Sequence, residues 1–142
     1  MHLDEWVDNA PRSLREGPAW RVRAYQVGTF AAVCAADDAI ALGRYPRFAQ
    51  VAPQLVRAAG SIAANIAEGY PRRSRKDRIR YYEYALGSAR EAATWYVVVS
   101  AALERTTLEA RLSYLTRVSQ LLVKMINNER AASSPGFSPP TA

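Results

Sequence analysis

The chain has 142 residues, about half of them apolar and under a quarter charged, which suits one domain with a real hydrophobic core. One cysteine, Cys34, and one histidine, His2, exclude an internal disulfide. They also leave too few ligands for a zinc, haem or Glu-x-x-His di-iron centre, so neither a metal nor a cofactor is expected. The net charge is +6, with 17 Arg among 19 basic residues, and that charge is unevenly placed.

Residues 1–18 read as an N-terminal extension. Their acidic residues stand where a secretory signal carries Lys or Arg, and no run of about eighteen uncharged apolar residues occurs anywhere in the sequence. A cytoplasmic protein with no membrane contact is therefore expected. After Gly17-Pro18 a first helix is predicted over about 19–42. Val22, Tyr25, Phe30, Val33 and Ile40 form a bulky face, and the opposite side is Ala24, Gly28, Ala31, Ala35 and Ala39 in place of charge. Cys34, within "FAAVCAA", reads as a small core residue.

"GRYPRFAQVAP" connects to a second helix of about 54–69, with Pro53 suited to a first turn, and "GYP" ends it. Ser74 followed by Asp77 resembles a capping box opening a third helix of about 75–104. That helix has a wide apolar arc through Tyr81, Tyr82, Ala85, Ala89, Ala92, Trp95, Tyr96, Val99 and Leu103. "RTT" breaks it, and Thr107 is a candidate cap for a fourth helix of about 108–131. There Leu108, Leu112, Leu115, Ser119, Leu122 and Ile126 form a stripe, with Glu109, Arg111 and Arg117 away from it. Residues 133–142, "SSPGFSPPTA", have the composition of a disordered tail. The fold class is all-α, an up-and-down antiparallel four-helix bundle over 19–132. Apolar or small residues around most of the first and third helices leave surface for self-association.

Arg57, Ser61, Asn65 and Glu68 are spaced 4, 4 and 3, which lines them along one side of the second helix; Leu55, Ala59, Ile62 and Ile66 line the other. With Ser88 and Glu91 of the third helix, the polar set is expected to form an interhelical network of hydrogen bonds and ion pairs that fixes register. A catalytic role for Glu68 or Glu91 is not supported: there is no nucleophile–base pair and no histidine to complete one.

"QLVRAAGSIAANIAEGYPRRS" followed by "YYEYALGSARE" resembles the four-helix-bundle proteins encoded within intervening sequences of bacterial 23S ribosomal RNA genes. The matching positions are Gln54, Arg57, Ala58, Ser61, Ile62, Asn65, Ile66, Ala67, Glu68, Gly69, Arg72, Gly87, Ser88 and Glu91. The resemblance implies a bundle assembled as a ring-like homopentamer, with no enzymatic activity attached. The family is also similar to the accessory protein of diversity-generating retroelements, a basic pentamer that binds nucleic acid and a reverse transcriptase.

Residues 72–80 hold Arg72, Arg73, Arg75, Lys76, Arg78 and Arg80 against the single Asp77, a balance of +5. Cations in the first turn of a helix oppose its dipole by about 0.3–1 kcal/mol each, so the cluster is expected to meet an external anion. Free N–H groups at the helix start and the Arg forks suit phosphate. Tyr70, Tyr81 and Tyr82 are candidate stacking groups for unpaired bases, the last two also reading as core. Without a base-reading motif, the expected function is non-enzymatic, phosphate-driven binding of nucleic acid by an oligomer. The alternative is an oligomeric scaffold for a protein partner.

Overall fold

A computed structural model describes residues 1–132; the tail expected at 133–142 lies outside the described residues. Within the described residues the chain is helical throughout. Short helices α1 (Leu3–Asp8) and α2 (Arg12–Arg15) and a 3-10 turn (Pro18–Arg21) lead into α3 (Arg23–Leu42). Then follow α4 (Val51–Gly69), α5 (Arg75–Val98) and α6 (Arg105–Ala132). Each long helix packs on the one before it, and α6 closes onto α3. Leu42, Leu55, Ile62, Ile66, Tyr96, Val118 and Leu122 are fully buried between them.

The helix ends follow local chemistry. Ser74 caps α5, its hydroxyl accepting the Asp77 N–H at 3.3 Å, as the sequence suggested. Pro53 sits in the first turn of α4, where its missing N–H costs nothing. The third helix ends earlier than expected, at Val98, and a 3-10 turn over Ser100–Ala102 follows. Val97, Val98 and Val99 in succession are poor helix formers, and Val99 leaves helical geometry to enter the core completely buried. α6 begins at Arg105, ahead of the proposed Thr107 cap, because the Leu108 N–H already bonds to the Glu104 carbonyl.

α3 reverses one expectation. Ala24, Gly28, Ala31 and Ala35, the small side thought to be left over, are buried within the chain, while Ile40 of the bulky side is 69% exposed. The reason is close approach: a Cβ at Gly28 would lie 3.0 Å from the Ile62 side chain. Small residues there bring α3 and α4 together. Residues 1–18 are also part of the packed body. Leu3 is buried, the Trp6 ring lies 5.6 Å from Phe30, and Arg23 binds Asp4 at 2.8 Å.

Among the described residues one charged side chain is buried, Asp38. Its carboxylate accepts the Tyr96 hydroxyl at 2.6 Å and two Arg111 N–H groups at 2.8 and 3.1 Å. α3, α5 and α6 are thus joined at one point by a neutral, satisfied cluster. Burial and the bond to Asp38 push the Tyr96 phenol far above its ordinary range, and the same carboxylate raises Arg111. Burial likewise raises the Cys34 thiol, in keeping with a core residue.

Removing the carboxylate strands the part-buried Arg111 guanidinium and the buried Tyr96 hydroxyl, so Asp38→Ala should destabilise the fold by about 3 kcal/mol in urea unfolding. Alkaline pH should act on the buried phenols. Tyr82 is pushed up to about 12 by burial, and Tyr96 moves in the same direction. Unfolded phenols ionise near pH 10, so above that the unfolded state sheds protons that the native state keeps. Stability should then fall from about pH 10 to 12, by about 1.4 kcal/mol per pH unit for each tyrosine. Urea midpoints measured across that range check it, and Tyr82→Phe should reduce the slope.

Candidate nucleic-acid interface at the α4–α5 turn

The turn between α4 and α5 is built on Gly69. A Cβ there would fall 2.5 Å from the Tyr81 Cβ, so only glycine lets the two helices meet this closely. Pro71 follows, the Arg72 N–H returns to the Gly69 carbonyl at 3.0 Å, and Ser74 starts α5. This tight reversal gathers the basic residues on one end of the bundle.

The six cations are not equivalent. Arg78 donates to both oxygens of Glu129 on α6, at 2.9 and 3.0 Å, and to the carbonyls of Arg72 and Arg73, at 2.8 and 2.9 Å. It is a brace that fastens the turn to α6, and its pKa is raised chiefly by the Glu129 bond. Arg75 reaches the same Glu129 more loosely, at 3.7 Å. Arg72 pairs with Glu68 and lies over the Tyr81 ring, 5.1 Å from its centroid. Arg80, 3.4 Å from Asp77, also packs on Tyr81, at 5.2 Å.

Arg73 and Lys76 are exposed and have no acidic partner among the described residues. The sequence argument that the cluster opposes local stability therefore needs correction: Glu68, Asp77 and Glu129 pair with four of the cations and offset three of the six positive charges. Glu129 carried no sequence signal, since it lies about fifty positions from the cations it binds. Of the candidate stacking tyrosines, Tyr82 is core, Tyr81 is covered by the two guanidinium groups, and Tyr70 is half-buried at the turn.

The polar stripe is placed as its spacing implies, along one side of α4, but the interhelical network is not formed within the chain. Arg57 donates to Gln54 at 3.3 Å, Ser61 to the Arg57 carbonyl at 2.8 Å, and Asn65 to the Ser61 carbonyl at 2.8 Å. Glu91 accepts the Trp95 indole N–H at 3.2 Å, and Ser88 makes no side-chain hydrogen bond. Arg57, Ser61, Asn65 and Glu91 thus bond within their own helices, and no bond among them bridges α4 to α5. Glu68 is taken by Arg72. Among the described residues no group of His, Cys, Asp and Glu is placed to hold a metal, and no helix is long and apolar enough to cross a membrane.

Four long helices packed in sequence and closed α6 onto α3 place the protein in the class of helical bundles. The model of the 23S rRNA-intervening sequence protein family matches residues 46–128, more than half of the chain, and the chain belongs to that family. Its fold is similar to the crystal structure of a protein of unknown function from the S23 ribosomal protein family of Bacteroides thetaiotaomicron. The TM-score is 0.68 at 25% identity, over 72% of this chain and 97% of that one. No curated protein matches the chain.

The unequal roles of the cations are measurable. Arg78→Ala removes the brace and should cost about 2 kcal/mol in urea unfolding, since charge-assisted hydrogen bonds to Glu129 are lost. Arg73→Ala with Lys76→Ala should change stability by no more than about 0.5 kcal/mol.

Proposed function

We propose that the protein is a non-enzymatic, oligomeric helical bundle that binds nucleic acid, chiefly by phosphate contacts at the α4–α5 turn. The observation that carries this reading is the pair Arg73 and Lys76, exposed beside the start of α5 with no acid to neutralise them. A 24-residue helix begins there, and its first N–H groups add positive potential. Arg75 and Arg80 are held at 3.7 and 3.4 Å, loosely enough to turn toward a phosphate. The family's tie to 23S ribosomal RNA genes agrees with an RNA ligand in the cytoplasm.

The assembly proposed is a ring-like homopentamer, which multiplies a weak site five-fold along a polyanion. Apolar side chains support association: Ile40, Tyr84, Val97, Val98 and Val123 are exposed. So do Gly60 and Gly87, mid-helix glycines at which a side chain would meet nothing within the chain. Each costs its helix about 0.5–1 kcal/mol relative to Ala, a cost that close approach of another molecule would explain. The same features favour the second reading, a scaffold for a protein partner. The open groove of about 570 Å³ beside Ala39, Ile40, Gly43, Pro53 and Val56 adds to it.

Light scattering on dilute protein, followed by fluorescence anisotropy with labelled RNA and DNA in about 50 mM salt, tests both parts. The expected results are a multimer, low-micromolar binding, and a loss of roughly tenfold or more in affinity for Arg73→Ala/Lys76→Ala with unfolding unchanged. A multimer that ignores nucleic acid but captures a protein partner would replace this reading with the second, and a monomer overturns both.

A further inference from the structure

A pocket of about 630 Å³ opens at the same end of the bundle as the cationic turn. Its walls come from the 3-10 turn before α3 (Arg21, Val22), the α4–α5 turn (Tyr70), α5 (Tyr82) and α6 (Met125, Asn128). Glu129 closes one edge. The same Glu129 is gripped by Arg78, which also holds the carbonyls of Arg72 and Arg73. The pocket and the free cations are therefore parts of one braced structure. Tyr70 stands only three residues before Arg73.

The lining is of two kinds. Val22, Met125 and the tyrosine rings offer flat apolar surface. Arg21, Asn128 and the Tyr70 hydroxyl offer polar groups, none with a side-chain hydrogen-bond or ion-pair partner among the described residues, so the fold itself does not use them. A planar ligand with apolar faces and a polar edge matches such a lining, and one carrying phosphate also matches the neighbouring cations. A sugar lacks the apolar faces, and an acyl chain has no use for the polar edge. The volume lies in the range of small-molecule sites. The Asn amide presents a donor beside an acceptor, the pattern that pairs with an adenine edge.

We propose that this pocket receives the base of an unpaired adenine nucleotide in a single strand whose phosphates run along Arg73 and Lys76. The inference rests on the nucleic-acid reading above and extends it: the turn supplies charge, and the pocket selects single strands, because a base held in a duplex stack cannot enter.

The test compares three probes on the full chain by anisotropy in about 50 mM salt. They are an oligoadenylate of about twelve nucleotides, an abasic backbone of equal length and charge, and a duplex. The expected result is that oligoadenylate binds roughly tenfold tighter than the abasic strand, the contribution of a stacked base. That preference should vanish in Asn128→Ala and in Tyr70→Leu, with abasic and duplex affinities unchanged. Asn128 is exposed, so its replacement decides the question even if the Tyr70 variant folds poorly. Equal binding of oligoadenylate and abasic strand overturns the pocket and leaves the phosphate reading standing. A preference that survives both substitutions overturns it as well. If no probe binds, both proposals fall.

Discussion

A carboxylate cannot be left charged inside a helical core without partners, and Asp38 is buried there. Its three hydrogen bonds, from Tyr96 and Arg111, admit one arrangement of α3, α5 and α6. Apolar side chains slide past one another at small cost. A guanidinium fork on a carboxylate does not. The register set at that point runs the length of α5 and α6 to the opposite end of the bundle. There it delivers Glu129 beside Arg78, and the α4–α5 turn takes its shape from that pair.

The surface of the turn is what remains after structural demands are met. Of six cations in nine residues, Arg78 is consumed by the brace, Arg72 by Glu68 and Tyr81, and only Arg73 and Lys76 face solvent unopposed by acid. Charge density in the sequence therefore overstates the positive charge that the folded turn leaves unopposed. Position compensates for number. The free pair stands at the start of a long helix, on a turn kept rigid by Gly69 and Arg78. The pocket behind Tyr70 shares that rigid edge through Glu129.

Period and punctuation made most of the architecture legible. Pro53, Gly69 and Ser74 mark helix ends because their backbone chemistry is local, and the aliphatic stripe of α4 is buried as spaced, as are Leu115, Leu122 and Ile126 of the α6 stripe, whereas Leu108 and Leu112 are only partly buried. What depended on distant partners was not legible. Nothing near Asp38 announces that Arg111, 73 residues away, will neutralise it, and Glu129 is equally remote from Arg78. The small face of α3 misled for a related reason. Alanine and glycine permit close approach by any helix, and the pattern cannot say whether that helix is α4 or another molecule. Spacing put Arg57, Ser61, Asn65 and Glu68 on one side of α4, but depth, which decides whether polar groups bridge or stay local, is set by interhelical distance.

Glu129 is shared by two guanidinium groups, held tightly by Arg78 and loosely by Arg75. Arg78 bonds both oxygens of Glu129, and the Arg75 contact adds no hydrogen bond to the brace. The turn thus holds its positive charge in tiers: Arg73 and Lys76 unopposed by acid, Arg75 and Arg80 loosely paired, and Arg78 locked into the scaffold.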